Sequence, residues 1–157
     1  MTVLKKSADE YFMKEALKEA MKAQGKAEVP VGAVIVREGR IISRAHNTRE
    51  TTNDPAAHAE ILVLRKAAKK LKSWRLVHAD LYVTLEPCLM CVSALVQARI
   101  KRLVYGAPDP KAGACGSVWD IVRDTRLNHR VEVAGGILKE DAETMLKGFF
   151  KGLRTRR

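Results

Sequence analysis

The chain has 157 residues, 46% of them apolar and 30% charged, a composition that suits one domain with its own core and excludes a disordered segment. Its longest apolar run, Val29 to Val36, is broken by Pro30 and Gly32 and is too short to span a bilayer, while an odd count of three cysteines argues against a disulfide scaffold. The formal net charge of +11 exceeds the roughly 2–8 usual for a small domain and points to an acidic partner such as a nucleic acid.

Residues 1–7 contain no apolar h-region, so no secretory leader is expected, and a soluble, cytosolic protein is. Ser7 and Glu10 form a capping box for a first helix, in which Phe12, Met13, Ala16, Leu17, Ala20 and Met21 recur at helical spacing. Gly25 is its expected stop. Val29 to Arg37 reads as a strand, Glu38-Gly39 as a tight turn and Arg40 to Ala45 as the returning strand. The polar stretch Asn47 to Pro55 reads as a loop. A helix is expected over His58 to Leu71, with Ile61, Leu62, Leu64, Ala68 and Leu71 inward and Lys66, Lys69, Lys70 and Lys72 outward.

Asp80 to Leu85 follows as a strand. Cys88 to about Ala98 is a helix apolar on nearly all sides, and therefore expected to be buried. Arg102 to Gly106 is another strand, and Ala107 to Gly116, with Pro108, Pro110, Gly113 and Gly116, an extended loop. A short helix over Val118 to Arg123, a strand over Val131 to Ala134 and a final amphipathic helix from Lys139 to about Leu153 complete the chain. Alternating strands and helices after the opening hairpin predict a mixed sheet with helices on both faces. No repeat or linker divides the chain, so residues 1–157 are expected to form a single domain with a basic tail at about 151–157. After Glu143 the chain carries Lys147, Lys151, Arg154, Arg156 and Arg157 without an acid among them.

Two short stretches carry the chemistry. Pro87-Cys88-Leu89-Met90-Cys91 opens a helix with two cysteines three residues apart, on one helical face. Pro87 suits a helix start, and the partial positive charge there favours thiolates, the metal-binding form. His58-Ala59-Glu60 adds a third ligand and a nearby carboxylate. Residues two apart point about 200° away from each other on a helix, so His58 and Glu60 can serve one site only at a helix end, where side chains fan outward. Three ligands and an adjacent acid make up a catalytic zinc site with one open position, which would activate a water near neutral pH. Cys-x-x-Cys opening a helix after a strand is also the thioredoxin-like redox context. A purely structural zinc, with Cys115, His46 or His78 as fourth ligand, would leave Glu60 without a role.

His-x-Glu together with Pro-Cys-x-x-Cys is the signature of zinc nucleobase deaminases, the tRNA adenosine deaminase lineage among them. The chain resembles the bacterial tRNA-specific adenosine deaminases, of the cytidine/deoxycytidylate deaminase superfamily, over nearly its whole length. The resemblance rests on Val29-Pro30-Val31-Gly32-Ala33, Asn47, the run from Asp54 to Glu60, the run from Leu81 to Cys91, the run from Asp109 to Gly113, and Asn128-His129-Arg130.

It implies a three-layer α/β/α, cytidine-deaminase-like fold with a central mixed five-stranded sheet. It also implies hydrolytic deamination of adenosine to inosine at the wobble position of a tRNA anticodon loop, and a homodimer in which both subunits touch the RNA. By the same resemblance His58, Cys88 and Cys91 would hold one zinc ion per subunit, Glu60 would shuttle protons and Asn47 would sit in the base pocket. Asp109, Lys111, Asn128, His129 and Arg130 would lie near the anticodon stem-loop. Phe149 or Phe150 and the basic tail are further candidates to meet the RNA. The runner-up is a small-molecule deaminase of the same fold, acting on guanine, cytidine or deoxycytidylate. A reading of another class is a non-catalytic, zinc-stabilised RNA-binding module.

Overall fold

A computed structural model describes residues 2–156. The first helix, α1, runs over Val3–Gly25. It starts four residues before the expected capping box, because Thr2 takes the N-cap and its hydroxyl accepts the Lys5 N–H at 3.2 Å. Met13, Ala16 and Ala20 face inward as expected, but so do Asp9, Glu15, Glu19 and Ala23, and Met21 is exposed. The hairpin follows as β1 (Gly32–Arg37) and β2 (Arg40–His46). Its turn residues Glu38 and Gly39 both have positive φ, the geometry that matches strand twist in a two-residue loop.

A four-residue helix, α2 (Arg49–Thr52), interrupts the stretch expected to be loop. Then come α3 (Ala59–Leu71), β3 (Ala79–Leu85), α4 (Leu89–Gln97), β4 (Arg102–Ala107), β5 (Glu132–Ala134) and α5 (Lys139–Thr155). The strands form one five-stranded sheet in the order β2-β1-β3-β4-β5. β1 pairs antiparallel with both β2 and β3, whereas β3–β4 and β4–β5 are parallel. The mixed sheet predicted from the element order is therefore present.

Period-two alternation sends successive residues to opposite faces. Ala33, Ile35, Leu81, Val83 and Leu103 pack with Val63 and Ala67 of α3 and with Val92 and Leu95 of α4. Val34, Val36, Tyr82 and Val104 pack with Met13 and Ala16 of α1. Full burial of each such aliphatic side chain stabilises the fold by about 1.5–3 kcal/mol. Gly32 lets α1 lie close to β1, since a Cβ there would come within 2.1 Å of the Ala16 carbonyl oxygen. Across this layer the Arg102 guanidinium forks onto both Asp9 oxygens at 2.7 Å, and the Tyr82 hydroxyl donates to the same carboxylate.

Two further expectations fail. No helix forms over 118–123. The Val118 and Trp119 N–H groups both turn back to the Gly113 carbonyl, and Cys115 bridges Asp120. Nor is α4 buried all round, for Leu89 and Met90 stand open on its first turn. No helix among the described residues is long and apolar enough to cross a membrane.

Candidate active site

Each of the two chemical stretches meets its helix at the first turn. His58 is the N-cap of α3, with extended backbone, and Glu60 is the second helical residue. Cys88 is the extended N-cap of α4, and Cys91 is its third helical residue. The fan of side chains required of His58 and Glu60 is thus available, and two helix starts converge on one point.

His58, Cys88 and Cys91 each offer one ligand atom, and the three atoms lie within 4.8 Å of one another. His58 Nδ1 is 3.7 Å from Cys88 Sγ and 3.5 Å from Cys91 Sγ. A nitrogen and a sulfur at zinc bonding distances on a tetrahedral angle stand about 3.6 Å apart, so the spacing fits a shared tetrahedral ion. No fourth His, Cys, Asp or Glu joins the group among the described residues. Cys115 sits in the 109–117 loop with its thiol pushed up by burial to about 12. His46 leans on Glu19 and Lys26, and His78 is exposed.

The electrostatics suit a thiolate–imidazole centre. A hydrogen bond from Cys91 lowers the Cys88 thiol to about 4, and His58 reinforces the effect. Cys91 is shifted the other way, first by its bond to Cys88 and then by burial. His58 is raised, chiefly by its bond to Cys88. Glu60 is 4% exposed. Burial pushes its carboxyl up to about 6, against the pull of its own backbone N–H and of His58.

The site opens into a cavity of about 710 Å³, within the range that binds small ligands. Asn47, His58, Glu60 and Cys88 line it, as do Asp109 and Lys111 of the loop after β4. Asn47 Oδ1 accepts the Ala59 N–H at 2.7 Å. Asp109 Oδ1 accepts the Lys111 and Ala112 N–H groups, folding its own loop.

Asn128, His129 and Arg130 are not in this lining. The His129 Nε2 lies 2.7 Å from the Ile100 carbonyl oxygen, and Arg130 donates to the carbonyls of Asp124, Thr125 and Leu127. Sequence reasoning missed Arg49 and the α5 residues Glu143 and Leu146, which also line the cavity. Lys147, Phe150 and Arg154 of α5 line it as well, within the basic, aromatic stretch singled out for RNA. Arg157, part of that basic tail, lies outside the described residues. Arg49 could have been found from its place two residues after Asn47; Glu143 and Leu146 carry no local signal.

The family described as MafB19-like deaminase matches residues 6–154. The tRNA-specific adenosine deaminase of Bacillus subtilis (strain 168) is 52% identical over 149 residues, covering 95% of this chain and 92% of that protein. A solved structure from a study of A-to-I editing by tRNA:A34 deaminases at the wobble position of transfer RNA superposes with a TM-score of 0.84. It is 46% identical and covers 87% of this chain and 99% of its own. A guanine deaminase from Bacillus subtilis superposes less well, with a TM-score of 0.62 and 40% identity over 68% of this chain and 69% of its own. With its two helix-end motifs meeting at one cavity, and with this likeness along nearly its whole length, the chain belongs to the MafB19-like deaminases and, among them, to the family of tRNA-specific adenosine deaminases.

Proposed function

We propose that this protein is a cytoplasmic zinc enzyme that converts adenosine to inosine at the wobble position of a tRNA anticodon loop. The observation that carries the reading is the His58, Cys88 and Cys91 cluster beside buried Glu60, in a cavity whose lining includes Arg49, Lys111, Lys147 and Arg154 as well as Asp109 and Glu143. Two thiolates and an imidazole are a zinc donor set. Zinc held there supplies Lewis acidity that makes water a nucleophile at neutral pH.

The chain's own groups do the rest. Asn47 orients the base with its amide N–H groups, because its oxygen is engaged by Ala59. Glu60 takes the proton of the water that adds to C6 of adenine and passes it to the ring nitrogen. It then moves the proton of the new C6 hydroxyl to the amine, so that the C6–N bond breaks, ammonia leaves and inosine remains with a carbonyl at C6. A carboxyl raised toward neutrality suits a group that must both accept and return a proton. The exposed Phe150 ring offers a stacking face to a splayed base, and the four basic side chains offer contacts to phosphates.

The same reading includes a homodimer. Leu89, Met90, Val118 and Trp119 are exposed apolar side chains on two segments joined by the Ala114 N–H to Pro87 carbonyl bond. Together they suit a face covered by a second copy. Such a copy would bring its exposed Asn128 and Arg130 to RNA bound by its neighbour.

Likeness to a guanine deaminase supports the small-molecule alternative more weakly, and the basic border of the cavity supports RNA. Incubation with a panel of anticodon stem-loops, adenosine, guanine and cytidine, followed by product analysis, separates the two. Inosine in a stem-loop with little turnover of free bases is expected, together with binding that weakens steeply with salt. Preferential turnover of a free base would establish the alternative.

A further inference from the structure

Glu86 is 2% exposed and stands two residues before Cys88, the N-cap of the ligand helix, in the run Glu86-Pro87-Cys88. No basic side chain forms an ion pair with it among the described residues. Its carboxylate is satisfied instead by one loop. Oε1 accepts the Asp109 N–H at 3.0 Å and the Ser117 hydroxyl; Oε2 accepts the Cys115 N–H at 2.9 Å and the Ser117 N–H at 3.2 Å. The neighbouring Pro87 carbonyl takes the Ala114 N–H at 2.8 Å. A Cβ on Gly113 would fall 2.4 Å from Glu86 Oε2, so the carboxylate lies against bare loop backbone.

The physical need is plain. The loop contains Pro108, Pro110, Gly113 and Gly116 and adds no strand to the sheet, so its inward N–H groups need another acceptor. A carboxylate offers about four acceptor positions and bonds N–H groups more strongly than a neutral oxygen does. Pro108 to Ala112 of this loop line the cavity. A second lining residue, Arg49, is held by a similar device. Buried Glu28 accepts the Glu50 and Thr51 N–H groups and the Thr51 hydroxyl, holding α2 and thereby Arg49.

We propose that Glu86 is a positioning residue: it ties the 109–117 loop to the metal-ligand helix and so sets the distance between the reacting centre and the wall that receives the substrate. Glu86 itself belongs to the cavity lining, but both its oxygens are engaged by the loop, so it acts through Asp109 to Ala112 rather than on the base. The kinetic part of this inference rests on the RNA deaminase reading above; the tether itself does not.

The test compares full-length, zinc-loaded wild type with Glu86→Gln and with the milder Ser117→Ala. An amide at position 86 turns an N–H2 toward at least one backbone N–H of the loop. In Glu86→Gln, hydrogen exchange at the Asp109, Cys115 and Ser117 amides should accelerate about tenfold or more, the loss expected for bonds to a charged acceptor. Exchange in β1 and β3 should be unchanged, and zinc per chain should be retained. KM for an anticodon stem-loop should rise by a similar factor, with kcat kept within about threefold. Ser117→Ala should move the same quantities in the same direction by less.

Unchanged exchange at those three amides in both variants would overturn the inference. So would loss of zinc and of kcat at constant KM, since Glu86 would then serve the ligand helix alone. If wild type makes no inosine in any stem-loop, the RNA reading fails, while the exchange and zinc measurements still decide the tether.

Discussion

The Ala59 N–H donates to Asn47 Oδ1 at 2.7 Å, so the residue expected in the base pocket also fixes the first turn of the helix that carries His58 and Glu60. The bond assigns the two ends of the Asn47 amide, oxygen to the helix and nitrogen to the cavity. Asn47→Asp keeps the helix anchor and removes the donor to the base. It should retain zinc while kcat/KM on a stem-loop falls about tenfold or more, as for a lost substrate hydrogen bond. Asn47→Ala removes both functions and should lose zinc occupancy as well. Metal analysis beside steady-state kinetics separates the two variants.

The Asp9–Arg102 pair is a stability element. Burial alone would raise the Asp9 carboxyl, but the Arg102 fork and the Tyr82 hydroxyl outweigh it and hold Asp9 below its ordinary value. A depressed carboxyl stabilises the fold above its unfolded value of about 3.9 and loses that contribution as pH falls through the lower folded value. Asp9→Asn leaves the Arg102 charge buried and unpaired, at a cost of about 3–5 kcal/mol at neutral pH. The gap between variant and wild type should close as pH falls below about 4, which urea titrations at neutral and acid pH would measure.

The α5 cations give the RNA reading a quantitative handle. Lys147 and Arg154 line the cavity. If each contacts a phosphate, Lys147→Gln and Arg154→Gln should each flatten the slope of log binding constant against log salt by about 0.7. A slope unchanged in both would place the phosphates elsewhere.

How much of this was legible beforehand follows from where each signal resides. The two helix ends could be read because metal chemistry demands particular residue types at short spacing. The sheet could be read because β-branched runs alternate with helical periodicity. The start of α1 could not, since Thr2 as well as Ser7 can cap a helix and residues 2–8, all exposed, carry no packing pattern that chooses between them. The inward faces of Asp9, Glu15 and Glu19 break the expected pattern because each also pairs with a residue distant in the chain: Arg102 with Asp9, Arg44 with Glu15 and His46 with Glu19. Glu86 has the same character. A glutamate usually faces water, and the loop that buries this one lies 23 to 31 residues away. The expected helix over 118–123 gave way to turns because the Gly113 carbonyl takes the Val118 and Trp119 N–H groups and the Ala114 carbonyl takes that of Ile121.

The central claim is that three ligands hold zinc while Glu60 moves the protons. Its most direct test measures zinc per chain and inosine formed in an anticodon stem-loop, for wild type and Glu60→Ala side by side. Both proteins should carry about one zinc per chain, as a three-ligand site requires. Only wild type should make inosine at an appreciable rate, the variant losing at least about 10²–10⁴-fold with its proton carrier. Undiminished inosine formation by Glu60→Ala, or by wild type stripped of metal, would contradict the account.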